Sequence, residues 1–215
     1  MSLGLNGMMV KNQVTSDNVY VVDNDPQVLE ILTGLVNEIG HRVRSYKTAE
    51  DFIANRRQLG RQPECLILDL CLPGMDGIGL QEWLKNEDIE IPIIFISGLG
   101  DIPTAVEAMK QGAIDFIEKP FKRIEILRLV QFSLGKQAKT LARRQEVEEI
   151  SARLATLTER EHETLEWMVA GKTIKEIATR FQIGTRTVSK HQIGCFRKMG
   201  VDNVIQLIRL MHRME

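Results

Sequence analysis

From Val19 to Leu134, short apolar runs alternate with amphipathic stretches. The runs are Val19-Tyr-Val-Val22, a weak one around Val43, Cys65-Leu-Ile-Leu68, Ile93-Ile-Phe-Ile96 and Ala113 to Ile117. Unbroken Val/Ile/Leu quartets suit strands covered on both faces, which a parallel sheet between helices demands. Between them, Val28, Leu32, Leu35 and Ile39 recur at helical spacing, as do Ala105, Val106 and Met109. The pattern predicts five strands alternating with five helices: a doubly wound α/β unit with a five-stranded parallel sheet.

Beyond it the periodicity becomes purely helical. Arg123 to about Leu157 contains no proline and a single glycine, Gly135, and reads as one long helix with a possible break there. Leu127, Leu134 and Leu141 repeat at seven, whereas Val147, Ile150, Leu154 and Leu157 follow a register shifted by one, so the stripe is not a continuous coiled-coil seam. Thr158-Glu-Arg-Glu161 and Thr173-Ile-Lys-Glu176 each match a capping box and mark two helix starts. The first of these helices buries Leu165, Met168 and Val169 and stops at Gly171; the second presents Ile174, Ile177, Ala178 and Phe181 on one face. Gln182-Ile183-Gly184 is a short turn, Thr185 to Met199 a third helix ended by Gly200, and Val204 to Met211 a fourth. These boundaries divide the chain into a tail over 1–17 with no readable signal, an α/β domain over 18–134, a helical linker over 135–155 and a small all-α domain over 156–215.

Composition excludes whole classes. With 43% hydrophobic and 27% charged residues in 215, the chain is neither collagenous nor disordered. No apolar run approaches the roughly 20 residues of a membrane span and no secretory signal is readable, so a cytoplasmic protein without membrane partners is expected. Three cysteines, Cys65, Cys71 and Cys195, have no metal-ligand spacing and suit a reducing compartment. Net charge is -1 overall, but residues 1–150 carry 17 Lys/Arg against 22 Asp/Glu, and residues 151–215 carry 11 against 7. From Met168 onward, 9 basic residues face only Glu176, Asp202 and Glu215, a local excess suited to a polyanion.

Chemistry gathers where the strands end. Asp23-Asn24-Asp25 follow the first strand, Asp69 ends the third, Ser97 follows the fourth and Lys119-Pro120 the fifth. In open parallel sheets ligands bind at that carboxyl edge. Acids gathered there repel one another unless a cation sits among them, and oxygen ligands favour Mg²⁺. A carboxylate beside Mg²⁺, a hydroxyl and a lysine can accept a phosphoryl group, with Asp69 the best nucleophile because it ends the most apolar central strand. In the last segment, two helices joined by a tight turn, the second bearing the basic surplus, read as helix-turn-helix. Val188 and Phe196 are expected to face the core, leaving Arg186, Ser189, Lys190, Ile193 and Arg197 outward to reach a major groove. Two Trp and two Tyr in the whole chain argue against a stacking platform for RNA or single strands.

Leu68-Asp-Leu-Cys-Leu-Pro-Gly-Met-Asp-Gly77, Ser97-Gly-Leu-Gly-Asp101 and Ala113-Ile-Asp-Phe-Ile-Glu-Lys-Pro-Phe121 resemble the signature blocks of bacterial response-regulator receiver domains, which have a flavodoxin-like fold. The resemblance implies that Asp69 is the phospho-acceptor charged by a sensor histidine kinase. It also implies that Ser97 and Lys119 contact the phosphoryl oxygens, that Phe116 is the aromatic whose rotation reports the modified state, and that Cys71 offers its backbone carbonyl to the metal. Asn24 departs from the pattern. Receivers usually carry two adjacent acids after the first strand, here Asp23 and Asn24, and an amide brings no charge to Mg²⁺; Asp25 stands next along the turn.

Leu157-Thr-Glu-Arg-Glu161, Gly171-Lys-Thr-Ile-Lys-Glu-Ile-Ala178, Thr187-Val-Ser-Lys-His191 and Lys198-Met-Gly-Val201 resemble a LuxR-type DNA-binding domain, and the order after a receiver resembles the NarL/FixJ class, in its FixJ-like branch. That resemblance implies base-edge contacts at Ser189, Lys190, Arg186 and Ile193, and phosphate contacts at Lys175, Thr187, His191 and Lys198. Its implied partners are double-stranded DNA, a second copy of the chain on activation, and RNA polymerase. The leading expectation is a two-component transcription factor controlled by phosphorylation of Asp69 and dimerisation. A phosphorylation-independent regulator is the alternative that Asn24 raises. A phosphoryl-transfer enzyme lacks a phosphate-gripping glycine loop and a second catalytic base, and the chain is expected not to be an enzyme.

Overall fold

A computed structural model describes residues 18–55, 63–98 and 102–214. The chain divides into two compact units after Leu141. The first alternates β1 (Asn18–Val22), α1 (Pro26–Glu38), β2 (Arg42–Tyr46), α2 (Ala49–Asn55), β3 (Glu64–Asp69), α3 (Gly77–Asn86), β4 (Ile93–Gly98), α4 (Ile102–Lys110), β5 (Asp115–Lys119) and the start of α5 (Arg123–Leu154). The strands pair in parallel in the order β2-β1-β3-β4-β5.

Alternation along the strands sorts side chains to two cores. Tyr20, Val22, Leu66, Leu68, Ile93 and Phe95 point to one face, packed against Phe52 of α2, Leu80 and Leu84 of α3 and Ala108 of α4. Val19, Val21, Cys65, Ile67, Ile94 and Ile96 point to the other, under Leu32 and Val36 of α1 and Ile126, Leu129, Val130 and Leu134 of α5. All six residues of β3 are buried, which is why its Cys65-Leu-Ile-Leu68 run is unbroken. The weak signal at Val43 belongs to an edge strand: among the described residues β2 pairs only with β1, and none of its residues is fully buried. The last strand starts at Asp115, two residues after Ala113, because Gly112 at φ +101 is still turning the chain out of α4.

α5 runs through Gly135 without the break that glycine suggested. A single glycine costs a helix only about 1 kcal/mol against alanine, and the preceding turn is anchored by the buried Ser133 and Leu134. Its far end joins the second unit, where Ile150 is 2% exposed in a core with Leu165, Met168, Ile177, Val188, Cys195, Met199 and Leu207. That unit adds α6 (Glu159–Val169), α7 (Ile174–Phe181), α8 (Thr185–Met199) and α9 (Val204–Met211). Both capping boxes form, each threonine hydroxyl accepting from the third helical amide while the glutamate returns to the threonine N–H. The expected ends at Gly171 and Gly200 adopt φ +78 and +70. Cys65 and Cys195 are buried, one in each unit, and Cys71 is exposed. Among the described residues no helix is long and apolar enough to cross a membrane.

Candidate phospho-acceptor pocket and DNA-reading helix

The carboxyl ends of β1, β3 and β5 bring Asp23, Asp69 and Lys119 together. Asp23 follows β1 directly and is fully buried, and Asp69 closes β3 at 3% exposure. Lys119 Nζ lies 2.7 Å from Asp23 Oδ2 and 3.4 Å from Asp69 Oδ1. The second Asp23 oxygen accepts from the Asp25 N–H at 2.8 Å, so Asp23 is satisfied on both sides. Asp69 Oδ1 is buried with no hydrogen-bond partner. Two carboxylates against one ammonium leave a net negative charge in a sheltered site. Burial and the neighbouring Asp23 charge raise the Asp69 carboxyl above its ordinary range, against the opposing pull of Lys119. Burial works against the Lys119 ammonium, but its bond to Asp23 and the charge of Asp69 outweigh it and raise its pKa.

Other expected pocket residues sit on the same edge in different ways. Ser97, the last residue but one of β4, pairs with Glu118 of β5, is 2% exposed, and donates its hydroxyl to the Gly98 carbonyl at 3.0 Å. Phe116 pairs with Phe95 across β4 and β5 and is half-buried against the first core. Asn24 is exposed, as is Cys71 two residues past Asp69. Asp25 is the N-cap of α1, its carboxylate accepting from the Gln27 N–H at 2.8 Å. Asp101, the last residue of the second signature block, lies outside the described residues. Among the described residues, no three His, Cys, Asp or Glu side chains are grouped to hold a metal.

In the second unit, α7 and α8 are joined by Gln182-Ile183-Gly184. The left-handed residue of this turn is Gln182 at φ +55, while Gly184 is extended at φ -72 as the N-cap of α8. Val188, Cys195 and Met199 fix the buried stripe of α8, and Phe196 is only half-buried. The opposite side exposes Arg186, Thr187, Lys190, Ile193 and Arg197, with Ser189 and His191 half-buried beside them; Lys175 is exposed on α7. Ile193, at 66% exposure, is a large apolar side chain held out to solvent on an otherwise polar surface. Lys198 differs from the rest. Its Nζ lies 2.6 Å from Glu161 Oε2 and 2.8 Å from the Thr156 carbonyl, so the phosphate contact expected of it competes with an internal ion pair.

Residues 19–131 match the response regulator receiver domain, and residues 155–211 match the luxR family of bacterial regulatory proteins. The chain belongs to the response-regulator family. It is 38% identical over 197 residues to the response regulator protein TmoT of Ectopseudomonas mendocina, covering 92% of this chain and 89% of that one. It is 34% identical to the transcriptional regulatory protein FixJ of Bradyrhizobium diazoefficiens, covering 93% and 96%. The solved structure of the response regulator StyR superposes with a TM-score of 0.84 at 35% identity, covering 92% of this chain and 99% of that one. A receiver joined to a LuxR-type DNA-binding domain makes this response regulator a two-component transcription regulator, and its flavodoxin-like sheet is the receiver fold.

Sequence reasoning missed three contacts in this regulator. The sequence marks Glu161 only as a capping residue, yet its carboxylate is also the partner of Lys198 and lies where a Cβ on Gly194 would clash with it. Arg153, near the end of α5, donates to the Met199 carbonyl at 3.1 Å and so holds the last turn of α8. Glu50 of α2 accepts from the Met75 N–H at 2.9 Å. These partners are separated by 37, 46 and 25 positions, which no local periodicity reports.

Proposed function

We propose that Asp69 accepts a phosphoryl group from a partner histidine kinase, and that this modification raises the occupancy of duplex DNA by paired copies of the helix-turn-helix unit. The observation that carries the reading is the buried Asp69 carboxylate, one oxygen of which lacks a well-formed hydrogen bond, set beside Asp23 and ion-paired with the Lys119 ammonium at 3.4 Å. In the transfer, an Asp69 oxygen forms a bond to phosphorus while the phosphorus–nitrogen bond of the kinase's phosphohistidine breaks. The imidazole nitrogen keeps that electron pair, and the product is an acyl phosphate. Lys119 would hold one phosphoryl oxygen and Ser97 Oγ, turned from the Gly98 carbonyl, another; Phe116 would follow Ser97 as the reporting aromatic.

A divalent cation fits the charge of the pocket, with Asp23, Asp69 and the Cys71 carbonyl as its oxygen ligands and Asn24 as a neutral one. Mg²⁺ commonly binds through one or two carboxylates and keeps several waters, which is in keeping with so small a donor set. When bound, it would offset charge on the transferring oxygens. Asp25 is engaged at the α1 N-cap, so a compensating role for it would compete with that cap.

For DNA, we assign Arg186, Ser189, Lys190 and Ile193 to base edges, with Ile193 suited to a thymine methyl, and Lys175, Thr187 and His191 to phosphates. Dimerisation would supply affinity that one small module lacks, since two linked modules gain from effective concentration. Placement in the cytoplasm and contact with RNA polymerase follow from the same reading.

Acetyl-phosphate labelling in Mg²⁺ tests the acceptor: wild type should label and Asp69→Asn should not. Failure of the native chain alongside clear labelling of Asn24→Asp would defeat it. Lys190→Ala should lose more affinity for a target duplex than for a scrambled one; equal losses on both would remove it from base reading.

A further inference from the structure

The segment from Leu70 to Asp76 leaves the end of β3 and enters α3, and it carries Cys71. Its far end is fixed against the acceptor strand. The Gly77 N–H donates to the Leu70 carbonyl at 3.0 Å, and a Cβ on Gly77 would stand 2.5 Å from the Asp69 carbonyl oxygen. Asp76 then caps α3 by accepting from the Gly79 N–H at 2.7 Å. The crest of the segment is fixed from elsewhere. Gly74 turns it with φ +77, and the following Met75 N–H donates to Glu50 Oε1 at 2.9 Å. The same carboxylate oxygen would lie 2.7 Å from a Cβ on Gly74, so Glu50 is seated close against the crest. Glu50 stands in the first turn of α2, which is itself fixed by the Thr48 hydroxyl accepting from the Asp51 N–H at 3.1 Å.

Resting on the phosphorylation reading above, we propose that Glu50 is a positioning residue for the acceptor pocket: it braces the Gly74-Met75 crest and thereby sets the path of the segment that delivers the Cys71 carbonyl beside Asp69. Glu50 takes no part in the chemistry. Its contribution is that the carbonyl stands in place before a cation arrives, so that binding does not have to order the segment. A carbonyl oxygen is a weak donor whose value to a cation depends on placement, which makes the brace matter more here than it would for a third carboxylate.

The test uses the full chain as wild type, Glu50→Ala and Glu50→Gln, with amide hydrogen exchange at Met75 and the Mg²⁺ concentration for half-maximal acetyl-phosphate labelling as readouts. In Glu50→Ala, Met75 should exchange about tenfold faster and the Mg²⁺ midpoint should rise roughly three- to tenfold, the size expected for losing one ordinary, solvent-exposed hydrogen bond. Glu50→Gln retains an oxygen acceptor and should stay within about twofold of wild type in both. Loss of fold stability alone would lower the unfolding midpoint of Glu50→Ala without moving the Mg²⁺ midpoint, and that result overturns the proposal. So does a Glu50→Gln variant as impaired as Glu50→Ala, because the acceptor would then not be what matters. Failure of the phosphorylation reading itself looks different: no chain labels at any Mg²⁺ concentration while the Met75 exchange difference persists.

Discussion

Glu161→Gln isolates a buried charge while keeping the shape of the side chain. The Glu161 carboxylate accepts from the Thr158 N–H at 2.8 Å, the Thr158 hydroxyl at 3.0 Å and Lys198 Nζ at 2.6 Å, in a residue only 8% exposed. The Lys198 bond first, and the Thr158 bonds after it, hold its carboxyl down at about 2, against an ordinary 4.5. That gap corresponds to a ceiling of about 3 kcal/mol of folding stability. Solvent still reaches a quarter of the Lys198 side chain, which screens the pair and brings the expected contribution to about 2 kcal/mol. Because the folded value is depressed, this stabilisation is complete above about 4.5 and disappears as pH falls through about 2. Urea unfolding followed by Trp167 fluorescence, in a Trp83→Phe background, reads the second unit alone. At pH 7 the variant should be less stable by about 2 kcal/mol, and at pH 3 the difference should shrink to less than half. Equal stability at pH 7, or a difference that does not change with pH, would refute the assignment.

Three further outcomes follow from contacts in the same unit. Gly194→Ala would force a Cβ to within 2.2 Å of the same Glu161 carboxylate and should destabilise the unit by about 1–3 kcal/mol in the urea assay, with most of the loss removed in the Glu161→Ala background. Gln182→Gly relieves the left-handed strain at φ +55 and should raise stability by up to about 1 kcal/mol, measured as a higher urea midpoint with an unchanged slope. Ile150→Ala deletes a side chain 2% exposed in the core that α5 shares with α6 to α9, and should cost about 2–4 kcal/mol although the residue lies in what reads as a linker; calorimetry of the full chain would register it as a lower second transition.

Much of the fold could be read from local pattern because each central strand is buried on both faces, and a strand so placed has no option but an unbroken apolar run. β2 was faint for the converse reason: an edge strand with exposed Arg42, Arg44 and Ser45 has little apolar content to announce it. All four helices after Leu157 were legible in place, and α6 and α7 down to their N-caps, since a capping box is a contact between residues three apart; α8 starts at Gly184 with no side-chain cap and α9 is capped by Asn203, which no such box announces. The turn between α7 and α8 was legible in place and not in detail, because glycine was the natural occupant of a left-handed position and the chain puts Gln182 there. In the acid pocket, the end-of-strand rule brought Asp23, Asp69, Ser97 and Lys119 to one edge. Their pairing could not be read, since Lys119 reaches Asp23 across 96 positions and the choice between Asp23 and Asp69 as its nearer partner is made by packing. Lys198 shows the same limit from the other side: composition offers a lysine on a basic helix, and only the fold reveals that Glu161 holds it.

The distribution of thiols has a practical consequence. Burial pushes the Cys65 thiol up to about 12 and the Cys195 thiol, with help from the Glu161 charge, up to about 11, so both are shielded and unreactive near neutrality. Cys71 is the exposed one, and it stands two residues beyond Asp69. A maleimide dye added to the unmutated protein would therefore attach at the rim of the acid pocket and nowhere in either core, giving a built-in optical gauge of what happens to its neighbour.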